Sequence, residues 1–285
     1  MRLGKWIFDK ICNYLTKSTG DDSNSFLCDF DRICHEIIPG DILLIEGRNR
    51  VSNIIKNIVR SPWTHAALYI GRLHSIEDPE MRERVRKFYA GNAQQQLLVE
   101  TIIGRGTEVN PISSYKNHHI RICRPTGISH TDAQKVINFA VRRLGNSYDV
   151  RHILDLARFM LAGRWYIPRR WKSSLFIEHP TPLAKDICSA MLAEAFLSVK
   201  FPILPLIRRK TESGDFELIH RNPKLFTPSD FDYSPFFSII KYPIFTFIGA
   251  GPYQQLPWND ELMSHDDGII IAREPRVRGE DDSKS

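Results

Sequence analysis

Alternation of apolar and polar positions marks the strands of this chain. Residues 42–45 form a continuous apolar run behind a Pro39-Gly40 turn, and the run predicts a short buried strand. From Thr64 to Gly71 the chain alternates, with Ala66, Leu68 and Ile70 pointing one way and His65, Ala67 and Tyr69 the other. "QLLVETIIG" repeats the pattern, placing Leu97, Val99 and Thr101 on one face and Leu98, Glu100 and Ile102 on the other. "HIRICRP" predicts another strand, stopped by Pro125.

Helical spacing takes over elsewhere. Residues 2–17 place Leu3, Ile7, Ile11 and Leu15 on one face, with Trp6 and Tyr14 beside them. That helix either docks on the domain or lies on a membrane surface, and the polar run "STGDDSNS" links it to the rest. "VSNIIKNIVR" reads as a helix, and residues 77–95 read as a charged, helix-prone surface excursion. The clearest helix covers 131–144, with Thr131 and Gln134 as a capping box, a stripe through Ala133, Val136, Ile137, Ala140, Val141 and Leu144, and Gly145 at its end. "SYDVRHILDLARFML" predicts a second helix, followed by the basic-aromatic loop "RWYIPRRWK". In "TPLAKDICSAMLAEAFLSV", Asp186 is the expected cap, and Ile187, Met191, Leu192, Ala195 and Phe196 make the stripe. Cys188 therefore falls in the first turn. The tail after residue 254 is polar, and its last residues, "RGEDDSKS", are expected to be disordered.

Composition narrows the class. At 285 residues, 42% hydrophobic and 25% charged, the chain can bury a sizeable core. No apolar run is long enough to cross a bilayer, and Lys5, Asp9 and Lys10 interrupt any signal-peptide core, so a cytoplasmic protein is expected. The 5 cysteines show no C-x-x-C pairing, against a zinc ribbon or a disulfide scaffold, so neither metal nor other cofactor is expected. The net charge of +6 is spread over "RVRK", "RRLG", "RWYIPRRWK" and "IRRK" without an aromatic-interleaved motif. No nucleic-acid partner is expected, while peripheral attraction to an anionic membrane, with contact through residues 2–17, fits the balance.

The candidate chemistry centres on Cys188. A helix N-terminus favours a thiolate, because unpaired N–H groups and the macrodipole stabilise negative charge. A nearby histidine would hold an imidazolium against it, and His65, on the polar-facing side of its strand, is suited to that part. Glu100, between apolar neighbours, needs a partner to offset desolvation and could orient the imidazole. Each residue also has a plain structural reading: Cys188 as a small core residue, His65 as a histidine tied to a neighbouring carbonyl, and Glu100 in solvent at a strand end.

"PGDILLIEG", "S-x-W-x-H-A-A-L-Y-I-G", "LLVET", "LGNSYD" and "DICSAMLAEAF", in that order, resemble the circularly permuted branch of the NlpC-type cysteine peptidases. Within it they look most like the YiiX/YebB-like permuted papain-like amidases. Gly40-Asp41 and His65 come first and Cys188-Ser189 last, the reverse of the unpermuted order. The resemblance covers roughly residues 36 to 236, including "FTPSDFDYSPFF". It implies an α+β papain-like fold, an antiparallel sheet packed against helices with the nucleophile at a helix N-terminus. It makes Cys188 the nucleophile, His65 the general base and Glu100 the orienting residue, with Tyr69, Tyr148, Asp149 and Ser189 lining the cleft. Relatives resembling acyltransferases carry a second histidine in the third place, for which His74, His118 and His119 are available; all three also read as surface loop residues. The expected organisation is an N-terminal helix and linker (1–30), a catalytic domain (31–236) and a C-terminal extension (237–285). The expected activity is amide hydrolysis on a peptide or peptidoglycan-fragment-like substrate. The alternatives are a lipid-directed thiol acyltransferase or esterase, and a non-catalytic binding module on the same fold.

Overall fold

A computed structural model describes residues 28–48, 52, 56, 60–148, 185–186, 188–209, 215–243, 262–264 and 270–272. The expected helix over 2–17, the polar linker, the basic-aromatic loop and the extreme tail lie outside these residues, as does most of "VSNIIKNIVR". Of the second expected helix, 147–161, only Ser147 and Tyr148 are described, and they form a strand instead.

Helix α1 (Phe30–Glu36) starts where the Asp29 carboxylate accepts from the Arg32 N–H. Strands β1 (Ile42–Ile45) and β2 (His65–Gly71) pair antiparallel, and helix α2 (Pro79–Phe88) follows, capped by Asp78 with Pro79 in its first turn. Strands β3 (Leu97–Ile102), β4 (Gly106–Pro111) and β5 (Ile120–Pro125) precede helix α3 (His130–Arg142). Short strands β6 (Ser147–Tyr148) and β7 (Lys185–Asp186) pair in parallel ahead of helix α4 (Cys188–Ser198). Then come a hairpin of β8 (Leu206–Arg209) and β9 (Phe216–Ile219), helix α5 (Pro228–Tyr233), strand β10 (Phe237–Ile240), and the paired strands β11 (Leu262–Ser264) and β12 (Ile270–Ala272).

The central sheet has six strands in the order β10-β5-β1-β2-β3-β4. Every described pairing within it is antiparallel. Its middle strand β1 is buried on both sides, which accounts for a continuous apolar run in place of alternation. Ile42 and Leu44 join Ala66, Leu68, Ile70, Leu97 and Val99 in one core, into which α3 and α4 send Val136, Ile137, Ala140, Met191, Leu192 and Phe196. Helix α4 is apolar almost all round, as a helix enclosed by its own domain must be. Leu43 and Ile45 face the opposite way, into a second core with Ile33 of α1, Ala67, Tyr69, Leu98, Ile112, Ile120 and Ile122.

This second core corrects one expectation. The face of β2 that carries His65, Ala67 and Tyr69 is not a cleft wall along its length. Helix α1 and its neighbours cover Ala67 and Tyr69, and His65 escapes because it is the first residue of the strand. Two boundaries move as well. Strand β10 pairs with β5 inside the central sheet, and Asp29 N–H donates to the Tyr242 carbonyl, so the domain extends beyond 31–236 at both ends.

Caps account for further differences. The Ser129 hydroxyl caps α3 by accepting from Asp132 N–H, so Thr131 is not the cap. Gln134 is instead buried, accepting from Glu77 N–H and donating to the Ser75 carbonyl. Helix α4 begins at Cys188 itself, which leaves Asp186 in β7, outside the cap position. Strand β4 is an element the apolar pattern does not announce, since only Val109 among its residues is a large aliphatic.

Candidate active site

Three elements meet at the start of β2. Cys188 is the first residue of α4 and is 7% exposed. His65 opens β2 with an 18% exposed side chain, and Glu100 lies near the end of β3 with none. His65 Nε2 sits 2.5 Å from Glu100 Oε2, which leaves the other ring nitrogen, Nδ1, for the hydrogen bond to Cys188.

The surroundings explain how a fully buried carboxylate is tolerated. Beyond His65, Glu100 accepts from Asn110 Nδ2 at 2.8 Å on Oε1 and from the Tyr115 hydroxyl on Oε2. Asn110 also donates to Glu108 Oε1, the residue directly across the β3–β4 ladder from Glu100, so one amide bridges two like charges. Arg105 neutralises Glu108 at 2.8 Å. Tyr115 sits in a short 3-10 turn after β4, its ring edge-on to His118 at 5.3 Å between centroids.

The electrostatics run in one direction. Burial by itself would raise the Cys188 thiol pKa. The hydrogen bond and charge of His65, with the backbone N–H groups of Ala66 and Ser189, outweigh it and hold the pKa below its ordinary value. Burial opposes the imidazolium too, yet Cys188 and Glu100 push the His65 pKa up to about 10. Burial also disfavours the Glu100 carboxylate, which His65, Tyr115 and Asn110 keep below the usual range. All three shifts favour the charged forms, a thiolate–imidazolium–carboxylate chain, over the neutral ones. The other described cysteines go the opposite way: burial raises Cys28, Cys34 (to about 11) and Cys123.

A second polar cluster braces the wall beside His65. The buried Trp63 donates from Nε1 to Asp232 of α5, and Arg121 pairs with the same carboxylate at 2.6 Å while stacking on the indole. Glu46 binds Lys56 at 2.6 Å and His119 Nδ1 at 3.1 Å, with His119 packed against Trp63. Gly47 fits tightly here: a Cβ would collide with the Ser52 side chain and come within 2.7 Å of Thr64 Oγ1.

Residues 36–159 match the profile of a family described as permuted papain-like amidase enzyme, YaeF/YiiX, C92 family. The chain is, over these residues, similar to the permuted papain-like amidases. Its fold is permuted papain-like and its general class is cysteine hydrolase. His65 and Glu100 lie inside the matched segment, and Cys188 lies beyond it. A crystal structure titled metalloprotein yiiX from Escherichia coli O157:H7 aligns at TM-score 0.43 and 14% identity, covering 72% of this chain and 96% of that one. No curated protein matches the chain. Among the described residues, no three His, Cys, Asp or Glu side chains are grouped to hold a metal ion.

The remaining expected site residues divide. Tyr69 is 3% exposed in the second core, where its hydroxyl accepts from Gln96, so it does not line the cleft. The Ser189 hydroxyl is likewise turned inward, onto the Phe226 carbonyl at 2.7 Å, and only its backbone N–H reaches the sulfur. Tyr148 aligns with Asp186 in the β6–β7 pair, beside the approach to Cys188. Asp149 and the Tyr148 side chain lie outside the described residues. His119 is tied to Glu46, His74 is exposed, and His118 packs on Tyr115, so Glu100 is the partner that His65 meets. The Gly40-Asp41 motif is architectural: Gly40 has φ +98, and the buried Asp41 pairs with Arg124 and accepts from Ile38 N–H. Asn110 and Tyr115 were not anticipated. The one sequence signal is for Asn110: in "GTEVNP" the polar positions Glu108 and Asn110 share a face, the face that carries Glu100 on the neighbouring strand.

Proposed function

We propose that the protein hydrolyses an amide bond by a Cys188–His65–Glu100 thiol mechanism, on a peptide or a peptidoglycan-fragment-like substrate. The observation that carries this reading is the unbroken hydrogen-bonded line from a buried carboxylate, through an imidazole, to a thiol at a helix N-terminus. The thiolate attacks the amide carbonyl carbon, and backbone N–H groups at the start of α4 stabilise the oxyanion that forms. His65 gives its Nδ1 proton to the leaving amine as the C–N bond breaks, leaving a thioester on Cys188. A water molecule, deprotonated by His65, then attacks the thioester and releases the acid, and the sulfur recovers its resting state. Glu100 keeps Nε2 of His65 occupied, so that Nδ1 faces the sulfur throughout.

Acylation is tested without knowing the natural substrate. p-Nitrophenyl acetate should give a burst of p-nitrophenol and an acetyl adduct on Cys188. Replacement by Cys188→Ala should remove both, and Glu100→Gln should slow the burst by about 10²-fold, the lower end of what acid–base positioning contributes. A burst that survives in Cys188→Ala contradicts the mechanism.

One observation favours a second reading, a lipid-directed acyltransferase or esterase. The β8–β9 hairpin exposes Leu206 (63%), Ile207 (63%), Phe216 (73%) and Leu218 (58%). Peripheral membrane contact through residues 2–17 and a cytoplasmic setting belong to the same proposal; among the described residues no helix is long and apolar enough to cross a membrane. Liposome flotation of the native chain, of Phe216→Glu and of a chain lacking residues 1–20 separates the readings. Binding that either change abolishes supports the lipid enzyme, and no binding at all supports the amidase.

A further inference from the structure

We infer that Tyr115 is a positioning residue that tunes His65 as a general acid by competing for the Glu100 oxygen on which His65 depends. The inference rests on the Cys188–His65–Glu100 reading and extends it. Both the phenol and His65 Nε2 use Oε2 of Glu100, whereas Asn110 uses Oε1. A carboxylate oxygen that already accepts a phenolic proton offers less electron density to a second donor, so the imidazolium is held less tightly than by a bare carboxylate. An imidazolium held too tightly gives up its proton to a leaving amine slowly, and the best general acid has a pKa near the working pH.

The geometry makes Tyr115 suited to this task. Burial and the negative charge of Glu100 push the phenol pKa up from its ordinary value, which favours the protonated, donating form. Its ring is fixed between His118, edge-on at 5.3 Å, and His65, tilted at 6.2 Å between centroids. The titratable and charged groups facing Glu100 are His65 from β2, Glu108 from β4, Tyr115 from the 3-10 turn, His118 from the loop after it, and Cys188 from α4. Arg105 neutralises Glu108, and Arg48 acts on His118. Tyr115 is the one among them that donates to Glu100 Oε2 beside His65.

The test follows the His65 ring by 15N NMR across pH, together with the rate of iodoacetamide alkylation of Cys188. In Tyr115→Phe the His65 midpoint should move up by about half to one pH unit. With 3,5-difluorotyrosine at position 115, a stronger donor of nearly the same shape, it should move down, which keeps the test available if Tyr115→Phe does not fold. In a Glu100→Gln background both shifts should disappear, which a purely structural role for Tyr115 does not predict. An unmoved midpoint in the variants, or equal shifts with and without Glu100, overturns the inference while leaving the catalytic reading intact. A native His65 that titrates near its ordinary value, with Cys188 unreactive at pH 6, overturns the reading and the inference with it.

Discussion

Glu100 has no solvent to turn to, so its three donors decide what any substitution there does. Glu100→Ala leaves His65 Nε2 and the Tyr115 hydroxyl without their acceptor, while Asn110 keeps its bond to Glu108. Each buried group left unpaired costs about 1–3 kcal/mol, so thermal unfolding should show a clear loss. Glu100→Gln keeps the shape, and its loss should appear in Cys188 reactivity more than in melting temperature. Glu46 gives a separate pH signature. His119 and Lys56 hold its carboxyl at about 2, below its ordinary 4.5. A depressed carboxylate pKa contributes stability that is whole above the unfolded-state value and drains away as pH falls from about 4.5 towards 2. Denaturant unfolding across that window should show the loss, and Glu46→Gln should flatten it. His65 has the opposite sign: its raised pKa stabilises the fold below its ordinary 6.5, and that contribution fades as pH rises through about 10.

Elements show where periodicity speaks and where it is silent. Strand β1 was legible to the residue because a strand with both faces buried has no polar position to confuse it. The two faces of β3 were legible because Leu97 and Val99 alternate with Leu98 and Glu100. Strand β4, an outer strand of the sheet, was not, because its apolar content falls to Val109 and its other face is spent on Glu108 and Asn110. The α3 cap was misread because Thr131 with Gln134 and Ser129 with Asp132 both satisfy the local pattern. The tertiary demand for a buried amide between Glu77 and Ser75 removed Gln134 from the choice. Ser129→Ala should therefore cost about 1 kcal/mol in denaturant unfolding, and Thr131→Ala close to nothing. Gly47→Ala, at a position where a Cβ collides with Ser52 and Thr64, should cost about 1–3 kcal/mol.

At the scale of the whole molecule, the permuted order sets the distance the chain must bridge. His65 and Glu100 come from neighbouring strands, so their meeting follows from strand pairing. Cys188 arrives some way further along the sequence, through a helix anchored in the opposite core, and no local pattern could show that it lands beside them. The C-terminal segment then locks the arrangement. The Phe226 carbonyl takes the Ser189 hydroxyl, Phe231 fills the core, Asp232 holds Trp63 and Arg121, and β10 completes the sheet. Phe231→Ala should destabilise the fold by about 3–5 kcal/mol, read by denaturant unfolding. The family resemblance joined these distant segments where residue patterns alone could not, but it placed Tyr69 in the cleft, because alternation says which face a side chain takes and not what covers that face.

The central claim is that Cys188 rests as a thiolate against the His65 imidazolium. Timed alkylation with limiting iodoacetamide near pH 6, mapped by mass spectrometry, tests it directly, since an ordinary thiol with a pKa of about 8.5 is almost wholly protonated there. The account predicts that Cys188 labels far faster than Cys28, Cys34 and Cys123, and that His65→Ala removes the difference. Labelling of Cys188 no faster than theirs, or unchanged by His65→Ala, would contradict it.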